Sequence, residues 1–161
     1  DENLASLVAE YDVSICLMHM KGKPQNMQQN PTYDDVVKEI YDFLKARINY
    51  AISSGIKKQN IIIDPGLGFG KRTGNGIEDN SEIIHRLSEL KDLGFPMLIG
   101  ASRKTFIGNM CGCKSPLPVN ERLEGSIAAA STAVMNGADI VRVHDVKETR
   151  QSLDLVDKIV R

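Results

Sequence analysis

No stretch of this sequence reads as a targeting or membrane-crossing segment. Its apolar runs fall well short of the roughly 20 residues a membrane span needs, and its start, Asp1-Glu2-Asn3-Leu4, lacks the charged-then-apolar pattern of a signal peptide. Runs of lysine or arginine are missing too, and the formal net charge is -1. Nucleic acid and membrane surfaces therefore find little support as partners. Cysteine is scarce. Cys16, Cys111 and Cys113 are odd in number and carry no disulfide-framework spacing, which predicts reduced thiols and a cytoplasmic setting. Cys111-Gly112-Cys113 offers half of the roughly four ligands a zinc site takes, and no second Cys/His pair lies near it in sequence. Incidental thiols are the expected reading. Low-complexity segments and interdomain linkers are absent, and so is an initiating Met, which predicts a chain cut upstream.

What is present is ordinary globular composition: 161 residues, 42% hydrophobic and 25% charged. That suffices for one core and about one domain. The pattern is strand then helix, repeated. A short helix fits Asn3 to Glu10, followed by an apolar run from Val13 to Met20. The helix from Thr32 or Tyr33 to Ser53 carries an apolar stripe of Val36, Val37, Ile40, Phe43, Leu44, Arg47 and Ile48, and Gly55 ends it. Asn60 to Asp64 is a second strand, and a glycine-rich loop runs from Pro65 to Gly76. Asp79 or Asn80 caps a helix from Ser81 to Leu93. Pro96 to Ala101 and Asp139 to His144 are the third and fourth strands, each followed by a helix, Asn120 to Asn136 and Lys147 to Val160. Short, continuous apolar strands that alternate with helices predict an α/β fold with parallel strands buried on both faces. Half of a (β/α)₈ barrel and a flavodoxin-like open sheet both meet that description.

Parallel α/β folds bind ligands at the carboxyl ends of their strands. Those ends carry Met18, His19 and Met20; Asp64, Gly66, Gly68, Phe69, Gly70 and Lys71; Gly100, Ser102, Arg103 and Lys104; and Arg142, His144 and Asp145. Ionisable groups thus stand at every exit while the strand bodies are apolar. Asp64, behind three isoleucines, offers a partly desolvated pair of acceptor oxygens to the N–H groups of a flat heterocycle; a helix cap or a salt-bridged strand end is the plainer reading. The segment Gly66 to Lys71, GLGFGK, is neither the dinucleotide fingerprint nor a P-loop. Its glycines suggest close backbone approach to a planar ligand, with Phe69 as an apolar face, or simply turns. Arg142 and His144, two apart on a strand, point to one face and suit a phosphate or pyrophosphate; an Arg142 paired with Asp139 or Asp145 is the alternative. His19 is either a core histidine or a ligand contact, and His85 lies mid-helix.

LMHMKGKPQNMQ (17–28), DPGLGFGK (64–71), GASRK with FIG (100–108), ERLEGSIAAA (121–130) and GADIVRVHDV (137–146) together resemble dihydropteroate synthase, in that family's order and over nearly the whole chain. The resemblance implies a TIM (β/α)₈ barrel, of which residues 1–161 would be the four C-terminal βα units, a partial pterin-binding domain. It implies that Asp64 holds the amino-pyrimidine edge of a pterin and Lys104 its ring oxygen and nitrogen, the two catalytic positions. Met18 would line the apolar slot beside Gly100, and Arg142 and His144 would hold a pyrophosphate. Gly68, Phe69 and Thr105 would contact p-aminobenzoate, where sulfonamides also bind. Mg²⁺ is implied as a cofactor, with its main protein contact in the missing N-terminal half. That half would also carry two mobile loops, so this chain is expected to be inactive alone, and its open edges to favour a homodimer. A pterin-binding methyltransferase and a non-catalytic half-barrel are the rival readings.

Overall fold

The computed structural model describes residues 3–74, 76–112 and 114–160; Cys113 of the cysteine pair lies outside them. Among the described residues there are six α-helices and six short strands. Helix α1 (Leu4–Glu10) leads into β1 (Ile15–Met18), and α2 (Val36–Ser53) leads into β2 (Ile61–Asp64). A small hairpin of β3 (Thr73–Gly74) and β4 (Ile77–Glu78) precedes α3 (Asp79–His85). Then follow β5 (Leu98–Ile99), α4 (Thr105–Cys111), α5 (Leu123–Met135), β6 (Ile140–Val141) and α6 (Val146–Val160).

Strand β1 pairs parallel with β2, and β5 with β6. A parallel bridge from Ile63 to Met97 joins β2 to the run that enters β5. The parallel strands therefore lie side by side in chain order. With right-handed crossovers, chain order puts every connecting helix on one face, and α2 touches α3, α3 touches α5, and α5 touches α6 in series. A flavodoxin-like sheet would instead reverse direction at a switch point and clad both faces.

The core sits between sheet and helices. Ile61, Ile63 and Ile99 meet Ile40 and Leu44 of α2, Ile83 of α3 and Leu87 and Leu90 beyond it, all at most 1% exposed. Asp35 starts α2 by accepting from the N–H groups of Val37 and Lys38. Of the expected stripe, Val36, Val37, Ile40, Leu44 and Ile48 are buried, whereas Phe43 and Arg47 are exposed and Ala51 is buried instead.

Several expectations need correction. The strands are not buried on both faces: β1 leaves Cys16 exposed and Ile15, Leu17 and Met18 only half-buried, and Ile140 of β6 is exposed. The apolar runs are longer than the ladders they form, because β1, β5 and β6 occupy only part of each. Asp79 and Asn80 do not cap the helix after them. They lie in its first turn, where Asp79 accepts from the backbone and guanidinium of Arg72 and Asn80 accepts from the Gly68 N–H. That helix continues past His85 as a 3₁₀ segment, Leu87–Leu93, closed by left-handed Gly94. The connection after β5 contains a helix, α4, that periodicity did not mark. Among the described residues no helix is long and apolar enough to cross a membrane.

Candidate active site

Strand β2 delivers Asp64 to its carboxyl end, where the residue is 2% exposed. One carboxylate oxygen accepts from the Gly66 N–H at 2.7 Å. The other faces the Arg142 guanidinium at 3.6 Å. Burial pushes the Asp64 carboxyl up, while the Gly66 N–H, Arg142, Lys104 and Lys71 act against that rise. Arg142 enters directly after β6, its N–H donating to Ile99 at 2.9 Å. Its side chain is 58% exposed, so a pair this long and wet contributes little to stability and leaves guanidinium donors for an anion. Gly100 gives Arg142 its room: a Cβ there would lie 3.0 Å from the guanidinium.

Lys104, two residues beyond Ser102, reaches the same hollow. Its ammonium sits 4.0 Å from the Phe69 ring centroid, within reach of a cation–π attraction. Burial holds this amine below the usual lysine range, Arg142 adds to that, and Asp64 opposes it. Gly68 lies against the Lys104 stem, and Met18 lies over Gly66. Asp64, Lys104, Arg142, Phe69, Gly68, Gly100 and Met18 thus come together.

His144 and Thr105 are placed differently. Strand β6 ends at Val141, so His144 is not the next residue of a ladder on one face with Arg142. Its N–H and its Nδ1 both meet the Ser102 hydroxyl, at 3.2 and 3.0 Å. Beside it, Arg103 and Asp145 form a two-point ion pair with contacts of 3.1 and 2.5 Å. Asp145 is therefore spoken for, Asp139 accepts from the Met97 N–H, and the alternative pairing for Arg142 does not occur. Thr105 is exposed at the first turn of α4.

The glycines of 66–70 serve the chain itself more than a ligand. Gly66 has φ +71°, and a Cβ there would stand 1.9 Å from the His19 carbonyl oxygen. Gly70, at φ +63°, is pressed against Lys21, whose carbonyl oxygen would lie 2.6 Å from a Cβ there. Two residues fix this turn, in roles the sequence reading did not assign to them. Gln28 donates to the Gly68 carbonyl at 2.7 Å. Lys71, 2% exposed, donates to the carbonyls of Gly66 and Phe69. Lys71 had a signal, since it is a cation at the end of an otherwise apolar, glycine-rich segment. Gln28 had none beyond its motif.

A family profile described as pterin binding enzyme matches residues 1–144. The chain belongs to the pterin-binding enzyme family. A dihydropteroate synthase of Neisseria meningitidis serogroup B is 48% identical over 155 residues, covering 95% of this chain and 53% of that protein. The Yersinia pestis dihydropteroate synthase, solved with a sulfonamide drug complex, superimposes with a TM-score of 0.89 at 39% identity over 96% of this chain and 54% of that one. The Xanthomonas albilineans dihydropteroate synthase in complex with 7,8-dihydropteroate gives 0.87 at 38% identity over 99% and 55%. The chain spans about half the length of the relatives it matches.

Proposed function

We propose that this chain carries the four C-terminal βα units of a (β/α)₈ barrel and, on them, much of a dihydropteroate synthase site. The reaction joins 6-hydroxymethyl-7,8-dihydropterin pyrophosphate to p-aminobenzoate, giving 7,8-dihydropteroate and pyrophosphate. The observation that supports it best is the meeting of one buried carboxylate with two cations on the open face of the sheet: Asp64 with Arg142 at 3.6 Å, and Lys104, over the Phe69 ring, close enough for both charges to act on it.

In this reading the free lone pairs of Asp64 accept from the amino-pyrimidine edge of the pterin, Lys104 donates to its ring oxygen and nitrogen, and Met18 and Gly100 shape the slot. Arg142 binds the pyrophosphate and stabilises the charge that grows on it as the carbon–oxygen bond breaks. His144, anchored by Ser102, borders that anion. The p-aminobenzoate nitrogen attacks the exocyclic carbon of the pterin from the side of Gly68 and Phe69, with Thr105 at the rim, the place a sulfonamide would take. The chain supplies position and charge and needs no nucleophile of its own.

Magnesium does not fit the residues present. Among the described residues no three His, Cys, Asp or Glu side chains gather as a metal site, and the groups near Asp64 are cations. On this reading the remaining barrel strands cover the apolar residues left open on α1 and α6, Leu7, Leu155 and Ile159, each more than half exposed. Without them a second copy would do so, and the chain would turn over no substrate by itself. A cytoplasmic setting suits the free thiols of Cys16 and Cys111.

Incorporation of labelled p-aminobenzoate into dihydropteroate tests the proposal, with this chain supplemented by the N-terminal half of a relative. Activity is expected from the mixture, with Asp64→Asn lowering it by roughly a hundredfold or more, the scale of losing a charged partner in a buried site. An active Asp64→Asn mixture would overturn the proposal.

A further inference from the structure

Lys71 is a buried amine whose contacts all lie at the base of the site. It donates to the Gly66 carbonyl at 2.9 Å and to the Phe69 carbonyl at 3.0 Å. Its third neighbour is Nδ1 of His19, at 3.0 Å. An ammonium has three N–H groups, and here three acceptors surround it. His19 is able to accept because it is neutral: burial, then Lys71, hold its imidazole down to about 3. The backbone completes the link, since the His19 N–H donates to the Asp64 carbonyl at 2.9 Å. The turn that follows Asp64 is closed by the Phe69 N–H donating to Gly66 at 3.1 Å. Lys71 therefore ties both ends of that turn to the end of β1.

We propose that Lys71 is a positioning residue: through the carbonyls of Gly66 and Phe69 and the ring of His19, its ammonium sets the turn that presents Gly68 and Phe69 to the second substrate. The inference rests on the reading of that turn as the p-aminobenzoate side of a synthase site. It also predicts a pH effect. The charged groups around the amine are Asp64, Asp79, Lys104 and Lys21, and the neutral His19 is the titratable group in contact with it. Burial outweighs the two carboxylates and holds Lys71 down to about 7. Above that value one N–H is lost, and one of the three acceptors is left without its donor in a buried place.

Steady-state kinetics of the wild-type and Lys71→Met chains, each supplemented with the N-terminal half of a relative, from pH 6 to 8.5, test the inference together with an NMR pH titration of the wild type. Wild-type KM for p-aminobenzoate is expected to rise as pH passes through about 7. Lys71→Met is expected to hold KM roughly tenfold higher at low pH and independent of pH, with kcat within about twofold, the split of an interaction used in binding rather than in the chemical step. In the NMR arm the Lys71 side chain and the Gly68 and Phe69 amides should titrate with a common midpoint. A Lys71→Met protein with wild-type KM and pH profile overturns the inference. So do Gly68 and Phe69 amides that ignore the Lys71 titration, a result readable even if the variant does not fold. A wild-type mixture without turnover sinks the synthase reading instead, and leaves the NMR arm to decide on Lys71.

Discussion

On the helix side of the sheet Ile61 and Ile63 are fully buried, while on the other side Ile140 stays 37% exposed and Arg142 reaches into solvent. Both sets of side chains come from the same short parallel strands. The helix side behaves as a core: apolar, close-packed and intolerant of lost volume. The open side carries apolar residues at the strand bodies and charges at the strand ends, the arrangement of a ligand-binding face in parallel α/β folds. Stability and function are thus divided between two faces of one sheet, and the division separates what a substitution does to folding from what it does to binding.

The largest expected effect is on folding. Ile63→Ala should cost about 2–5 kcal/mol in urea unfolding, as for other fully buried aliphatics. Ile140→Ala, on the open side, should cost less, about 1–2 kcal/mol, since over a third of its surface already meets water. Equal losses would break the comparison. A smaller effect depends on pH. His19 packs its ring edge-on to Phe43 of α2, with centroids 4.9 Å apart, on the helix side. Its imidazole is held at about 3 against an ordinary 6.5. Below 6.5 the unfolded chain binds a proton that the folded chain refuses. Stability should therefore be whole above that value and fall as pH drops toward 3, by at most about 1.4 kcal/mol per pH unit. His19→Gln should flatten that part of the stability–pH curve, and an unchanged slope would place the acid sensitivity elsewhere.

Sequence alone made the second strand and its exit plain, because three isoleucines followed by Asp64, Pro65 and a glycine run leave few other readings. The α/β class and the meeting of Asp64, Lys104 and Arg142 were legible for the same reason: strand ends in parallel folds converge. The reason for the glycines was not. That Gly66 must avoid the His19 carbonyl is a tertiary contact between segments 47 residues apart, and no local pattern reports it. The open face was hidden too, since a continuous apolar strand looks the same whether its second face meets helices or stays open. Strand alternation did not fix where His144 stands, because the ladder stops at Val141 and the Ser102 hydroxyl holds His144 instead of a backbone acceptor. Helix α4 escaped notice because its seven residues contain a central glycine.

The most direct test of the two-sided account is a crystal structure of the full chain soaked with a pterin pyrophosphate. The account predicts the heterocycle on the open face, its amino edge on the Asp64 carboxylate and its phosphates at Arg142. A pterin seated among the helices, or on the open face with Asp64 turned away from it, would contradict the claim that this face is built to bind.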